Sequence, residues 1–205
     1  MQEKKLLALV AAINATLDID EMRRVTLKML RELIWFDGAS FWLADPLTGL
    51  PEQSPVLLDT PAESIVPYLT YYIHIDEVTA ALRAGESAVA RSTDLVDYGV
   101  WTRKSEYYND FLRTYNTHYL MGCELKEGQT VYAMLCLRRE KSTGDFRPED
   151  LGLLHLLYLH LLNRLRWHYA VTATRRQSRR RRLAASPSRT RFTCLPRGKK
   201  TLCGW

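Results

Sequence analysis

The stretch that decides the fold runs from His118 to Arg138. It reads His118-Tyr119-Leu120-Met121-Gly122-Cys123-Glu124-Leu125, then Lys126-Glu127-Gly128-Gln129, then Thr130-Val131-Tyr132-Ala133-Met134-Leu135-Cys136-Leu137-Arg138. Two runs rich in β-formers flank a polar, Gly-containing turn, which is the pattern of a β-hairpin. A turn centred on Lys126–Gln129 sets Met121 opposite Met134 and Tyr119 opposite Cys136. The other face then carries Leu120, Val131, Ala133, Leu135 and Leu137. Both faces are largely apolar, whereas an antiparallel sheet with one wet face alternates cleanly. The sheet is therefore expected to be covered on both sides.

Working outward, Ala39–Ala44 and Val56–Leu58 read as further strands, the first closed by Asp45-Pro46. Ser87–Ala90 is at most a short strand. Residues 3–17 carry Leu6, Val10, Ile13 and Leu17 at helical spacing. Lys4-Lys5 before Leu6–Ala12 superficially resembles a secretion signal, but the apolar run is short for one and the helical spacing explains it better. Asp18 to Glu21 has the form of a capping box, opening a second helix to about Ile34. Residues 61–83 look mostly helical, with a second helix around Lys104–Tyr115. Pro148-Glu149-Asp150 opens a long helix, proline suiting the first turn and the carboxylates its positive end. That helix is apolar almost all round, through Leu151, Leu153, Leu154, Leu156, Leu157, Leu161, Leu162 and Leu165. It needs partners on more than one side. The sheet is one; the first helix, or the same helix of a second subunit, is another.

Charge is unevenly distributed. Residues 175–205 hold nine Arg, two Lys and no acidic residue, while residues 1–174 hold 18 basic and 23 acidic residues, so the overall +6 lies in the C-terminal segment. This excludes a uniformly basic nucleic-acid-binding domain. No apolar run reaches the roughly 18 residues of a membrane span, and no membrane association is expected. The four cysteines, Cys123, Cys136, Cys194 and Cys203, form no Cys-x-x-Cys. The first two, in apolar stretches, read as buried thiols of a cytoplasmic protein.

The order helix, helix, strand, strand, helical insert, hairpin, long helix suggests a GAF-like α+β sensor domain over residues 1–170. Particular motifs sharpen the resemblance: Tyr107–Arg113, His118–Gly122, Leu135–Arg139, and Phe146–Leu151 followed by the Leu-rich helix. Together they resemble the N-terminal sensor region of bacterial LuxR-type (GerE-like) helix-turn-helix transcription regulators. Where that family usually caps the last helix with Ser or Thr, this chain has Arg147. The resemblance implies a central antiparallel sheet between helical layers, a small-molecule pocket, a homodimer and no enzymatic activity. DNA would be met only through a helix-turn-helix domain, whose opening pattern residues 171–205 do not show. No cofactor is expected.

The segment after residue 170 leaves three readings. It is a disordered solvated terminus, or an arm binding nucleic acid without sequence preference through Arg179, Arg180, Arg181 and Arg182, or an out-of-frame remnant. Written in codons ending in G or C and regrouped by one base, Arg197–Trp205 yields Pro-Arg-Glu-Glu-Asp-Val-Val-Arg-Leu, which resembles the opening of the DNA-binding domain. On that reading the regulator is truncated by a frameshift.

No nucleophile, base and acid set is legible. His155, His160 and His168 share a helix but not the i, i+4 face of a zinc site, and no glycine-rich phosphate loop exists. Cys123 or Cys136 could serve a thiol-based enzyme, although burial suits them better. The best ligand-pocket candidates are Trp42, Tyr68, Tyr71, Tyr72, Trp101, Tyr108 and Phe111, an aromatic group suited to an apolar or planar ligand. The same residues could instead form only a core and capping layer. For dimerisation the candidates are Leu6, Val10 and Ile13 with Leu154, Leu161 and Leu165.

Overall fold

The computed structural model describes residues 2–85 and 87–184, with side chains described up to Thr174. Its centre is one antiparallel sheet of five strands in the order β2-β1-β5-β4-β3: β1 (Gly38–Leu43), β2 (Val56–Leu58), β3 (Val89–Arg91), β4 (Tyr119–Glu127) and β5 (Thr130–Arg139). The hairpin of β4 and β5 forms its spine. The turn is tighter than the sequence suggests, because Glu127 pairs with Thr130 across Gly128-Gln129, with Gly128 at φ +58°. A bulge between Leu125 and Lys126 then moves the register, so Met121 lies opposite Leu137, Cys123 opposite Leu135 and Tyr119 opposite Arg139. This corrects the expected pairing by three residues. An odd slip exchanges the faces: Met121 shares a face with Leu135 and Leu137, and Leu120 shares the other with Met134 and Cys136.

One face packs on α1 (Gln2–Ala15), α2 (Ile19–Arg31) and α7 (Pro148–Ala184). Leu9, Ile13, Met22 and Leu27 meet Phe41, Met121, Leu125 and Leu135, and Leu154, Leu157, Leu161 and Leu165 complete this main core. Asp18 caps α2 by accepting the Glu21 N–H at 2.8 Å, while the Glu21 side chain pairs with Arg24 instead of reaching back. Arg164 reaches the Thr16 and Leu17 carbonyls at 2.7 Å, filling acceptors left open where α1 ends. The Tyr158 hydroxyl joins α7 to β4 at the Lys126 carbonyl, 3.0 Å away.

The start of α7 is held without a Ser or Thr cap. The Asp150 carboxylate accepts the Arg147 N–H at 2.9 Å, so the third helical residue satisfies the cap position. The same oxygen meets Arg139 at 3.1 Å, and Arg139 donates to the carbonyls of Trp35 and Asp145, both at 2.8 Å.

The opposite face is covered by short elements: α3 (Ile65–Thr70), α4 (Glu77–Ala84), α5 (Ser92–Leu95), α6 (Tyr98–Lys104) and a π-helical segment, Tyr107–Leu112. The single helix expected over Lys104–Tyr115 is thus divided. Ser105 turns extended, its hydroxyl accepts the Tyr108 N–H and donates to Glu77, and the chain restarts in the wider π geometry. Val89–Arg91 replaces the expected Ser87–Ala90, and α2 ends at Arg31, before the expected Ile34.

Four of the six residues expected at a dimer interface are used up inside the monomer. Ile13, Leu154, Leu161 and Leu165 are fully buried, and Leu6 and Val10 pack against the same core. Among the described residues, the large apolar residues these helices expose are instead Leu7, Leu156, Leu159 and Trp167, at 68%, 61%, 63% and 50% exposure.

Met1–Tyr169 form one compact unit. Ala170–Trp205 form a second unit, and within it the described residues up to Ala184 are helical where the sequence reading expects a disordered tail. Residues 185–205 and the side chains of Arg179, Arg180, Arg181 and Arg182 lie outside the described residues. No helix among the described residues is long and apolar enough to cross a membrane.

Candidate functional site

On the face away from α1, α2 and α7, the sheet and its short helices enclose a cavity of about 140 Å³. That is room for on the order of ten water molecules, or a one- or two-ring organic molecule. Its floor is the even-numbered face of the hairpin with its neighbours: Leu120, Gly122 and Glu124 of β4, Met134, Cys136 and Arg138 of β5, and Ser40 and Trp42 of β1. Gly122 is there of necessity, since a Cβ would lie 2.6 Å from the Leu135 carbonyl oxygen. The roof is Tyr68 from α3, Asp76, Val78 and Leu82 on and beside α4, and Tyr107, Phe111 and Leu112 from the π segment.

The roof is held as an aromatic layer. Tyr68 lies 5.8 Å from Trp42 and 5.9 Å from Phe111 between ring centres, and Phe111 stacks on Tyr72 at 4.6 Å. Asn116, in the left-handed region at φ +51°, ends this segment and turns the chain into β4, a conformation asparagine tolerates better than most residues.

Three charged side chains line the cavity. Asp76, the buried N-cap of α4, accepts the Thr79 N–H at 2.9 Å, the Thr79 hydroxyl at 2.8 Å and the Tyr68 hydroxyl at 3.1 Å. Burial pushes its pKa up, and the hydrogen bonds from Thr79, Tyr68 and Tyr107 oppose that push. Glu124 is 2% exposed and meets Arg83 at 2.6 Å and Lys126 at 3.8 Å. Arg138 donates to the Thr60 hydroxyl at 3.3 Å, the Tyr115 carbonyl at 3.2 Å, the Thr117 hydroxyl at 3.4 Å and the Asp59 carbonyl. Burial lowers its pKa.

Of the seven aromatic residues singled out in the sequence, Trp42, Tyr68 and Phe111 line the cavity. Tyr72, Trp101 and Tyr108 pack behind its wall, with Trp101 and Tyr108 at 4.8 Å. Tyr108 also meets His118 Nδ1 at 2.7 Å. Tyr71 faces outward, half-exposed, its hydroxyl donating to Glu106 at 2.7 Å. Sequence reasoning missed Asp76, Glu124, Tyr107 and Arg138. Asp76 was findable as a helix cap, and Glu124 and Arg138 as charges within apolar strands.

The two strand thiols lie on opposite faces of the sheet, Cys123 in the main core and Cys136 against the cavity. Burial pushes both pKa values up to about 12, the reverse of an activated nucleophile. Among the described residues, no group of three or more His, Cys, Asp or Glu side chains is placed to hold a metal ion.

No family model matches the chain, and no curated protein matches it. Solved structures do. A crystal structure of the VqsR LBD domain from Pseudomonas aeruginosa is 20% identical with a TM-score of 0.56, over 82% of this chain and 95% of that one. The GAF domain of an Acinetobacter phosphoenolpyruvate-protein phosphotransferase is 15% identical with a TM-score of 0.55, over 83% and 96%. The fold is GAF-like. CepR2 from Burkholderia cenocepacia, described as an N-acylhomoserine lactone dependent LuxR family transcription factor, superposes at a TM-score of 0.59 with 14% identity, over 80% and 98%. Each superposition takes in about four-fifths of this chain and nearly the whole of the other.

Proposed function

We propose that this chain is a non-enzymatic sensor domain of a LuxR-type transcription regulator, acting in the cytoplasm, that binds a small molecule in the cavity beneath the aromatic layer. The observation that carries the reading is the cavity itself: apolar walls, a few fixed polar groups, and a position between the sheet and a layer of short helices. Ligand binding there stabilises the roof, and the domain signals as a homodimer. The exposed apolar residues Leu7, Leu156 and Leu159 are its contact, replacing the buried residues first assigned to that role.

Trp42 lines the cavity and Trp101 lies behind it, so intrinsic fluorescence reports occupancy. The test is a titration of the full chain with N-acylhomoserine lactones and with one- and two-ring aromatic compounds, followed by fluorescence and by melting temperature. A specific ligand gives saturable fluorescence change and a concentration-dependent rise in Tm. Met134→Trp, which fills the cavity, abolishes both. Binding that survives this substitution unchanged overturns the reading.

A further inference from the structure

Arg138 is the only cation among the residues lining the cavity. It occurs on the cavity face of β5 because three features make room for it. Gly38 lies directly opposite, and a Cβ there would come 2.2 Å from the Arg138 Nε, so the guanidinium crosses β1 over a missing side chain. Asp59 takes the left-handed φ of +46°, unusual for a residue other than glycine, and turns its carbonyl to Arg138 while its carboxylate pairs with Arg31. Thr60 and Thr117 supply hydroxyl acceptors at 3.3 and 3.4 Å.

All four partners are neutral. Among the described residues no carboxylate comes within ion-pair distance of Arg138, whereas Glu124, the other end of the cavity floor, has both Arg83 and Lys126. Asp59, Asp37 and Glu140 act on it only from beyond ion-pair distance, and a half-buried guanidinium with no ion-pair partner attracts one. It offers five N–H groups in a planar fork suited to a carboxylate. Four contacts occupy it, two of them long hydroxyl contacts that can yield to a stronger acceptor. From Arg138 the floor continues through Cys136 to Met134, about 13 Å at some 3.3 Å per residue, with Trp42, Tyr68 and Phe111 also lining the space.

We infer that the cavity selects an amphipathic organic anion: a carboxylate held by Arg138, and a flat apolar body lying along Cys136 and Met134 beneath the aromatic layer. This inference rests on the reading of the cavity as a ligand site, and the experiment separates the two. Phenylacetate and its neutral amide, phenylacetamide, are titrated into the full 205-residue chain by calorimetry. Each is one ring with one polar head, the size a cavity of about 140 Å³ takes, and the two differ in one charge. The acid binds about tenfold tighter than the amide or better, the scale of one charge-assisted hydrogen bond. Arg138→Gln brings the two affinities together, Arg138→Lys keeps part of the preference, and Met134→Trp removes both ligands.

Equal binding of acid and amide by the wild-type protein overturns the inference and leaves the cavity as a ligand site. An acid preference that persists in Arg138→Gln, or in Met134→Trp, overturns it too, because the anion is then held elsewhere. If neither compound binds, both readings fall. Should Arg138→Gln fail to fold by circular dichroism, the wild-type ratio and Arg138→Lys still decide.

Discussion

Substituting Asp150 by alanine removes two interactions at once. The carboxylate accepts the Arg147 N–H at the start of α7, and among the described residues it is the only anion paired with the buried Arg139. Arg139 is 5% exposed and Asp150 8%. Breaking a buried pair from one side costs about 3–5 kcal/mol, because the remaining charge stays buried. Loss of a helix cap alone costs about 1 kcal/mol. The two do not add in full, since both act through one carboxylate. Arg139 also keeps the Trp35 and Asp145 carbonyls, and its guanidinium lies 4.1 Å from the centre of the Phe146 ring. The expected loss is therefore near the lower bound, about 3 kcal/mol. Against the roughly 5–15 kcal/mol that holds a domain folded, that is a large fraction. With a urea dependence of about 2 kcal/mol per molar, the unfolding midpoint falls by about 1.5 M.

The assay is urea unfolding followed by far-ultraviolet circular dichroism, with Asp150→Asn as the comparison. Asparagine keeps an acceptor for both donors and loses only the charge, so it should recover a substantial part of the loss. Replacing both partners, as Arg139→Met with Asp150→Leu, is not expected to be neutral, because it orphans two carbonyls that Arg139 satisfies. An Asp150→Ala protein destabilised by less than about 1 kcal/mol refutes the argument that this carboxylate anchors α7 in place of the missing Ser or Thr.

Other outcomes follow from the same structure. Asp76 keeps its proton to higher pH folded than unfolded, so above about pH 4 the folded state binds more protons and stability falls as pH rises through the window. The stability of Asp76→Asn relative to wild type should therefore improve from pH 4 to pH 7, and denaturation at the two pH values checks the sign. Leu154→Ala should cost about 2–5 kcal/mol in a monomer core. Leu156→Ala should leave unfolding nearly unchanged and weaken self-association measured by analytical ultracentrifugation; the opposite pattern restores the first assignment of the interface. In a chain with Cys136, Cys194 and Cys203 changed to Ser, Cys123 should react with a disulfide reagent at pH 8 only as the protein unfolds, since it is buried and burial holds its pKa at about 12. Stoichiometric labelling of the folded protein within seconds refutes its burial.

How much of this was legible in the residues depended on whether composition alone could separate the alternatives. The hairpin was legible because alternating β-formers and a glycine turn admit few other readings. Its register was not. Both faces of β4 and β5 are apolar, so a slip of three residues, which exchanges the faces, leaves the pattern equally hydrophobic. The tie is broken by Gly128-Gln129 turning in two residues and by the bulge at Leu125 and Lys126. Both are backbone events with only a faint residue signature. The long helix shows the same degeneracy: Leu154, Leu161 and Leu165 form one stripe, and Leu156 and Leu159 another. Only packing against β4 and β5 shows that the first is core.

The candidate site was half legible for a related reason. Aromatic side chains between Trp42 and Phe111 were bound to gather, because each must bury a large area and no other layer of the fold has space for them. Which of them face the cavity depends on the phase of the chain through the π-helical segment. There the repeat widens, so that Tyr107 and Phe111 line the space while Tyr108 turns away to His118. The charged residues carried information that an aromatic search passed over. An arginine that follows Leu135-Cys136-Leu137 in a strand must be satisfied or exposed, and at position 138 the fold does neither completely: it surrounds the guanidinium with neutral acceptors and leaves it beside an apolar cavity. Arg139, one residue on, points to the other face and is fully compensated by Asp150. Two arginines adjacent in the sequence thus meet opposite electrostatic conditions, and the one without an ion-pair partner is the residue whose chemistry the cavity has still to match.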